Sequence, residues 1–334
     1  MTGKGTVLAS LAAVLAGVGV SVQTSLNGHA NVAVGSPILA TAINHSSALI
    51  LALVVALAIG AFPRALRELR SGRVKLRWWW FLGGAMGAGG VFVIVAVTPL
   101  VGVVAVAVAV TLGQLAGSVL VDSMGMGAGG RRSLNVLRLM GMAVAVVAVL
   151  IGAEGRFGGG AWVVLPLAVA AGVIIAIQQA ANGWLIIATG EFAVMSVINF
   201  AVSVLLVGVA LAVAMVVSPV NFSAIPVWAP IGGVLGALIG VVAALTANKI
   251  GVLSLMLCVA AGQAIGGVFL DMLVPVDRVG LTGGSVAAAV LAVCAVGLAG
   301  MGSMGRSWKG RPRRASRVDT PEGRTREDIQ ETPR

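Results

Sequence analysis

The chain is built from runs of about twenty or more uncharged residues, separated by short polar or basic stretches. A helix rises 1.5 Å per residue, so roughly 20 apolar residues cross the ~30 Å hydrocarbon layer of a bilayer. Cutting the sequence at charges, prolines and polar clusters gives ten such segments, at 6–27, 36–61, 79–97, 100–121, 134–152, 161–187, 192–217, 228–247, 251–273 and 281–301. Short alternating strands do not recur, which argues against a membrane barrel. The expected fold is an all-α integral membrane protein with ten transmembrane helices. Only 10% of the 334 residues are charged, against about a quarter in soluble domains, so soluble and disordered classes are both excluded.

The net charge of +11 would otherwise suggest nucleic acid as a partner. Its placement points to topology instead. If the ten segments alternate, one face receives Lys4, Arg64, Arg67, Arg70, Arg73, Lys75, Arg77, Arg131, Arg132, Arg138 and Lys249, while the other receives only Arg156 and Arg278. The basic tail after Met301 joins the majority. Both termini of a multi-pass membrane protein are therefore expected in the cytoplasm. Lys4 followed by an apolar run has the form of a secretory leader. The repeat described next makes that run a structural partner of a later one, so it is read as retained.

The repeat is ungapped in two blocks. Sliding the sequence by 155 places Gly17, Gln23, Asn27, Gly28, Gly35 and Asn44 on Gly172, Gln178, Asn182, Gly183, Gly190 and Asn199. An offset of 149 places Trp79, Gly83, Gly84, Gly87, Gly102, Gly113, Gln114 and Asp122 on Trp228, Gly232, Gly233, Gly236, Gly251, Gly262, Gln263 and Asp271. The glutamine matches are telling, because the chain has six Gln and four form these two pairs. Each copy holds five segments, an odd number, so the second enters the membrane from the opposite side. The expected units are 1–153, an inverted copy at 154–304, and a disordered basic tail at 305–334. Such inverted repeats are the architecture of alternating access.

The Gln-x-x-x-Asn of the first segment (Gln23, Asn27), the Gly-Gly-x-x-Gly of the third (Gly83, Gly84, Gly87) and the Gly-Gln…Asp of the fourth (Gly113, Gln114, Asp122) resemble the YdcZ-like branch of the drug/metabolite transporter superfamily. The resemblance covers 6–301 and reads as two five-helix units fused. It implies a multi-pass permease or exporter of small molecules in the bacterial cytoplasmic (inner) membrane, without naming a substrate.

Polar side chains in a bilayer are costly unless paired, so their depth is informative. Counting rise along each segment sorts the paired residues into an outer group (Gln23, Asn27, Asn44, Gln263, Asp271) and an inner group (Gln178, Asn182, Asn199, Gln114, Asp122). They are expected to form or flank two gates around a central pathway. The plainer reading is interhelical hydrogen bonding that holds the bundle together. Asp122, Asp271 and Glu191 fall at segment ends or in a connection, where solvated carboxylates are expected. No carboxylate falls at the midplane, which favours a neutral or zwitterionic solute over proton-coupled exchange of a lipophilic cation. Glycines four apart (83 and 87, 113 and 117, 232 and 236, 236 and 240, 262 and 266) predict close helix crossings. Trp78, Trp79, Trp80 and Trp228 are expected at the headgroup level.

Other chemistry is missing from the chain. Gly125, Gly127 and Gly130 match G-x-G-x-x-G, but no strand precedes them, and no phosphate-binding G-x-x-x-x-G-K-[ST] occurs. His29 and His45, and Cys258 and Cys294, lack metal-ligand spacing. His29 is expected in the first external loop, both histidines in satisfied polar contacts, and both thiols free and buried. No enzyme, cofactor, metal or nucleic-acid partner is expected. The expected partners are a small-molecule substrate and the lipid bilayer, including anionic lipid under the tail, with a monomer or homodimer as the assembly. The alternatives are a non-transporting scaffold or sensor and a passive channel.

Overall fold

The computed structural model describes residues 3–72, 74–127, 136–152, 161–217, 219–250, 252–276 and 281–307. These form α1 (Gly3–Val34), α2 (Pro37–Ala58), α3 (Ala61–Arg70), α4 (Leu82–Met124), α5 (Val136–Gly152), α6 (Ala161–Thr189), α7 (Phe192–Val217), α8 (Ile231–Ile250), α9 (Val252–Leu273) and α10 (Gly283–Ser307). No strand occurs among the described residues. Among the described residues five helices are long and apolar enough to cross a membrane, and shorter apolar stretches lie at Leu139–Ile151, Ile231–Ala243, Leu257–Leu273 and Gly283–Leu298. Residues 305–307 of the expected tail continue α10, whereas 308–334 and Arg73, Arg131, Arg132, Arg156 and Arg278 lie outside the described residues.

At 43 residues α4 would reach roughly 65 Å if straight, twice the hydrocarbon thickness. It turns at Gly102, whose φ of 83° and ψ of 167° suit glycine alone. Sequence places this break nearer Pro99, but the proline is accommodated inside the helix and the reversal follows three residues later. The two halves run oppositely along α6. Before the turn, Gly83, Gly87 and Gly90 face Asn182, Gln178 and Ile175 in descending order; after it, Gly113 and Gly117 face Val169 and Val173 in ascending order. The second copy repeats the pattern. In α8, Gly232 and Gly236 face Asn27 and Gln23 of α1, whereas Gly262 and Gly266 of α9 face Val14 and Val18.

The connections sort to two ends of the bundle. At one end Arg64 of α3 bonds Glu191 between α6 and α7. There, too, Trp80 stacks on Trp184 with ring centroids 5.5 Å apart, and the Trp184 indole N–H donates to the Met126 carbonyl at 2.8 Å. At the other end Val34, Leu39, Val95 and Ala229 share one apolar cluster, Gly28 meets Thr98 and Val276, and Gly284 meets Ile151. The described Lys and Arg positions all fall toward the first end: Lys4, α3 and the stretch after it, Arg138 at the start of α5, Lys249 ending α8 and Arg306 ending α10.

Several local expectations change. The first helix runs past residue 27 to Val34, so His29 is helical, not in a loop. Its polar residues are tolerated because they find backbone acceptors: His29 Nδ1 lies 2.9 Å from the Ser25 carbonyl, and the Asn31 amide donates to the Val95 carbonyl at 3.0 Å. Trp80 is 3% exposed and belongs to the core through its stack on Trp184, whereas Trp78 is 75% exposed. Cys294 is exposed on α10 instead of buried. Gly125 of the G-x-G-x-x-G match is a left-handed cap that ends α4; Gly130 lies outside the described residues.

Candidate functional site

Two amide clusters form, and each is closed by the other repeat. In the first, Asn44 of α2 donates to Asn27 of α1 at 3.0 Å, both buried. Gly232, Gly233 and Gly236 of α8 lie against them, so that a methyl at these positions would overlap Asn27, the Asn44 carbonyl and the Gln23 amide. In the second, Asn199 of α7 donates to Asn182 of α6 at 2.9 Å, and Gln178 donates to Asn199 at 3.5 Å. Here the wall is Gly83, Gly84 and Gly87, where a methyl would stand 2.6 Å from Asn182 Oδ1, 2.5 Å from the Asn199 carbonyl and 2.5 Å from Gln178 Nε2. The Gln-x-x-x-Asn of each half thus packs on the Gly-Gly-x-x-Gly of the other. In lipid each amide pair contributes only about 0.6 kcal/mol, so glycine-permitted backbone approach does most of the joining.

Gln263 and Gln114 sit beside the closest crossings. Gly17 meets Gly262 and the Gln263 amide nitrogen, and Gly172 meets Gly113 and the Gln114 amide nitrogen. Gln23, Gln114 and Gln263 are half-buried, and their side chains hydrogen-bond no group among the described residues. Each therefore keeps donor and acceptor capacity within an apolar bundle. Two serines, one at the α1–α9 crossing and one beside the second amide cluster, have no matched partner in the repeat. Ser21 donates to the Gln263 carbonyl at 2.6 Å and Ser203 to the Gly84 carbonyl at 2.7 Å. Their equivalents are Ala176 and Ala48, so no matched pair marks them.

Asp271 differs most from its expected setting. It is 1% exposed, not solvated, and its carboxylate accepts the Val103 and Val104 amides at 2.8 and 2.9 Å. The reversal at Gly102 leaves the first amides of the second half of α4 without intrahelical acceptors. Asp271 supplies those acceptors from the other repeat, and its charge faces the positive end of that helix. Asp122, the repeat equivalent, is half-buried one turn before Gly125; its matching turn at Gly251 lies outside the described residues.

At the basic end Arg64 holds Glu191 through two guanidinium nitrogens, the second at 3.2 Å. This bidentate bond lowers the Glu191 carboxyl pKa and raises that of Arg64. His45 is buried, with Nδ1 3.0 Å from the Thr41 carbonyl and its ring edge-on to Phe200. A cavity of about 30 Å³, room for about one water, lies between α2, α7 and α8 beside Phe192 and Ser196. Among the described residues no group of three His, Cys, Asp or Glu could hold a metal ion.

A family model described as "Putative inner membrane exporter, YdcZ" matches the chain twice, over residues 8–151 and 163–298. No curated protein matches. A crystal structure described only as that of a protein is 20% identical, covers 92% of this chain and 99% of its own, and superposes with a TM-score of 0.52. That similarity concerns the fold alone.

Proposed function

The chain belongs to the YdcZ family of inner membrane exporters in the drug/metabolite transporter superfamily, and from that premise we propose that it is a secondary transporter carrying a small organic solute by alternating access. Ten crossings are inferred: the two halves of α4 count separately, and α3 lies across the basic end. The two inverted five-helix halves rock against each other on their glycine crossings, and each amide cluster opens as the other closes.

The observation that carries this reading is that Gln23, Gln114 and Gln263 are half-buried and hydrogen-bond no group among the described residues. Polar groups facing lipid are costly, so such amides belong on an internal aqueous or solute path. Amides bind neutral or zwitterionic groups by hydrogen bonding without adding charge. The basic end is assigned to the cytoplasm by the positive-inside rule. Alkaline phosphatase fused after Gly155 is accordingly expected to be active, and an inactive fusion would overturn this orientation.

Reconstituted protein, loaded with a mixed metabolite extract and presented with the same labelled pool outside, tests the activity. Saturable counterflow of at least one component is expected. Flux that neither saturates nor exchanges would indicate a channel, and no flux with any pool would indicate a non-transporting protein.

A further inference from the structure

The stretch from Ala61 to Trp78 has no equivalent in the second half, where the corresponding connection between α7 and α8 carries no charge. Its helix α3 is strongly two-sided. Ala61 and Ala65 are fully packed against Ala52, Ala56, Ala193 and Val197, which fixes the helix across the end of α2 and α7. Its other face is open. Arg67 and Arg70 are exposed there, followed by exposed Lys75 and Arg77. Apolar side chains stand out among them, with Leu66 and Leu76 each 47% exposed and Trp78 75% exposed. Arg64 is not part of this surface, because Glu191 engages it; Glu68, the single acid of the stretch, is half-buried with its chain against Gly190.

We infer that this stretch is a docking surface for anionic phospholipid headgroups, with Arg67, Arg70, Lys75 and Arg77 contacting phosphate and Leu66, Leu76 and Trp78 entering the acyl boundary. Three features select that occupant. The surface lies at the level where spans end, since Trp78 leads directly into the turn that begins α4. It combines cations with an amphipathic aromatic, the composition of interfacial anchors. Its charge is complementary to an anionic leaflet, which attracts each nearby Lys or Arg with an energy equivalent to roughly a fivefold change in local binding. The inference rests on the membrane-spanning reading but not on which way the protein is inserted.

The test uses full-length protein in nanodiscs, which expose both ends of the bundle to the same lipid. Brominated phosphatidylglycerol or brominated phosphatidylcholine is added as a minor component, and the Trp78 signal is taken as the difference between wild type and Trp78→Phe. Stronger quenching of Trp78 by the brominated anionic lipid is expected. Joint replacement of Arg67, Arg70, Lys75 and Arg77 by Gln should reduce that preference about tenfold or more, while Arg64→Gln should preserve it. Equal quenching by both lipids would overturn the proposal, as would a preference that survives the fourfold replacement. A failure of counterflow leaves this result unaffected, so the two readings fail separately.

Discussion

Gly17→Ala is expected to destabilise the protein by about 3 kcal/mol or more, and Gly183→Ala to leave it unchanged or slightly more stable. Both glycines are interior to helices, and both have repeat equivalents. Their surroundings differ. A methyl at Gly17 would overlap the Val259 carbonyl and stand 2.9 Å from the Gln263 amide nitrogen, whereas at Gly183 nothing lies within 4 Å. The obstacle at Gly17 is backbone, which cannot rotate aside as a side chain can. Relief requires α1 and α9 to separate, with loss of packing along their length and of the Ser21 bond to the Gln263 carbonyl. At Gly183 the alanine gains up to about 1 kcal/mol in helix propensity. Thermal unfolding in detergent separates the cases, and equal melting temperatures would contradict the crossing geometry.

Asp271→Ala is expected to cost about 2–6 kcal/mol, since the Val103 and Val104 amides would be left buried without an acceptor, at about 1–3 kcal/mol each. Asp271→Asn keeps one acceptor and should recover roughly half of the loss, though not the charge interaction with the helix end. Because those amides begin the second half of α4, the expected lesion is local: hydrogen exchange should rise at residues 102–106 before the rest of the bundle opens. Uniform loss of protection would mean that Asp271 acts through general packing instead of as a cap.

Much of this architecture is visible in the residues themselves. Charges, prolines and polar clusters mark the apolar segments, because groups that are costly in hydrocarbon are placed at boundaries. Depth sorts Gln263 and Asp271 with the outer group, but they lie beside Gly17 and the turn in α4. The matched Gln23, Asn27 and Asn44 and their equivalents Gln178, Asn182 and Asn199 do name the residues of the amide clusters. Their pairing across halves is not visible, since sequence spacing relates Gln23 to Gln178 as equivalents and cannot say that Gln23 faces Gly236. Asp271 is misjudged for a related reason: a carboxylate near a helix end reads as solvated unless the bare amides at Gly102, far away in sequence, are known to lie beside it. Trp80 belongs in the core because Trp184 supplies a parallel ring and Leu185, Ala188 and Met195 pack beside it from other helices. The repeat comparison likewise passes over Ser21 and Ser203, whose contacts occur once.

Alternate opening of the two amide clusters is the core of the proposed transport cycle. It is tested most directly by single cysteines at positions 23 and 178, introduced into a Cys258→Ala, Cys294→Ala background and probed with an impermeant, water-soluble thiol reagent from each side of sealed vesicles. Reciprocal labelling is expected. Position 23 should react only from the face opposite the basic end, and position 178 only from the basic face. Conditions that raise one rate should lower the other. Cysteines that remain unreactive from both faces while transport proceeds would rule out alternate opening and reduce these amides to packing contacts.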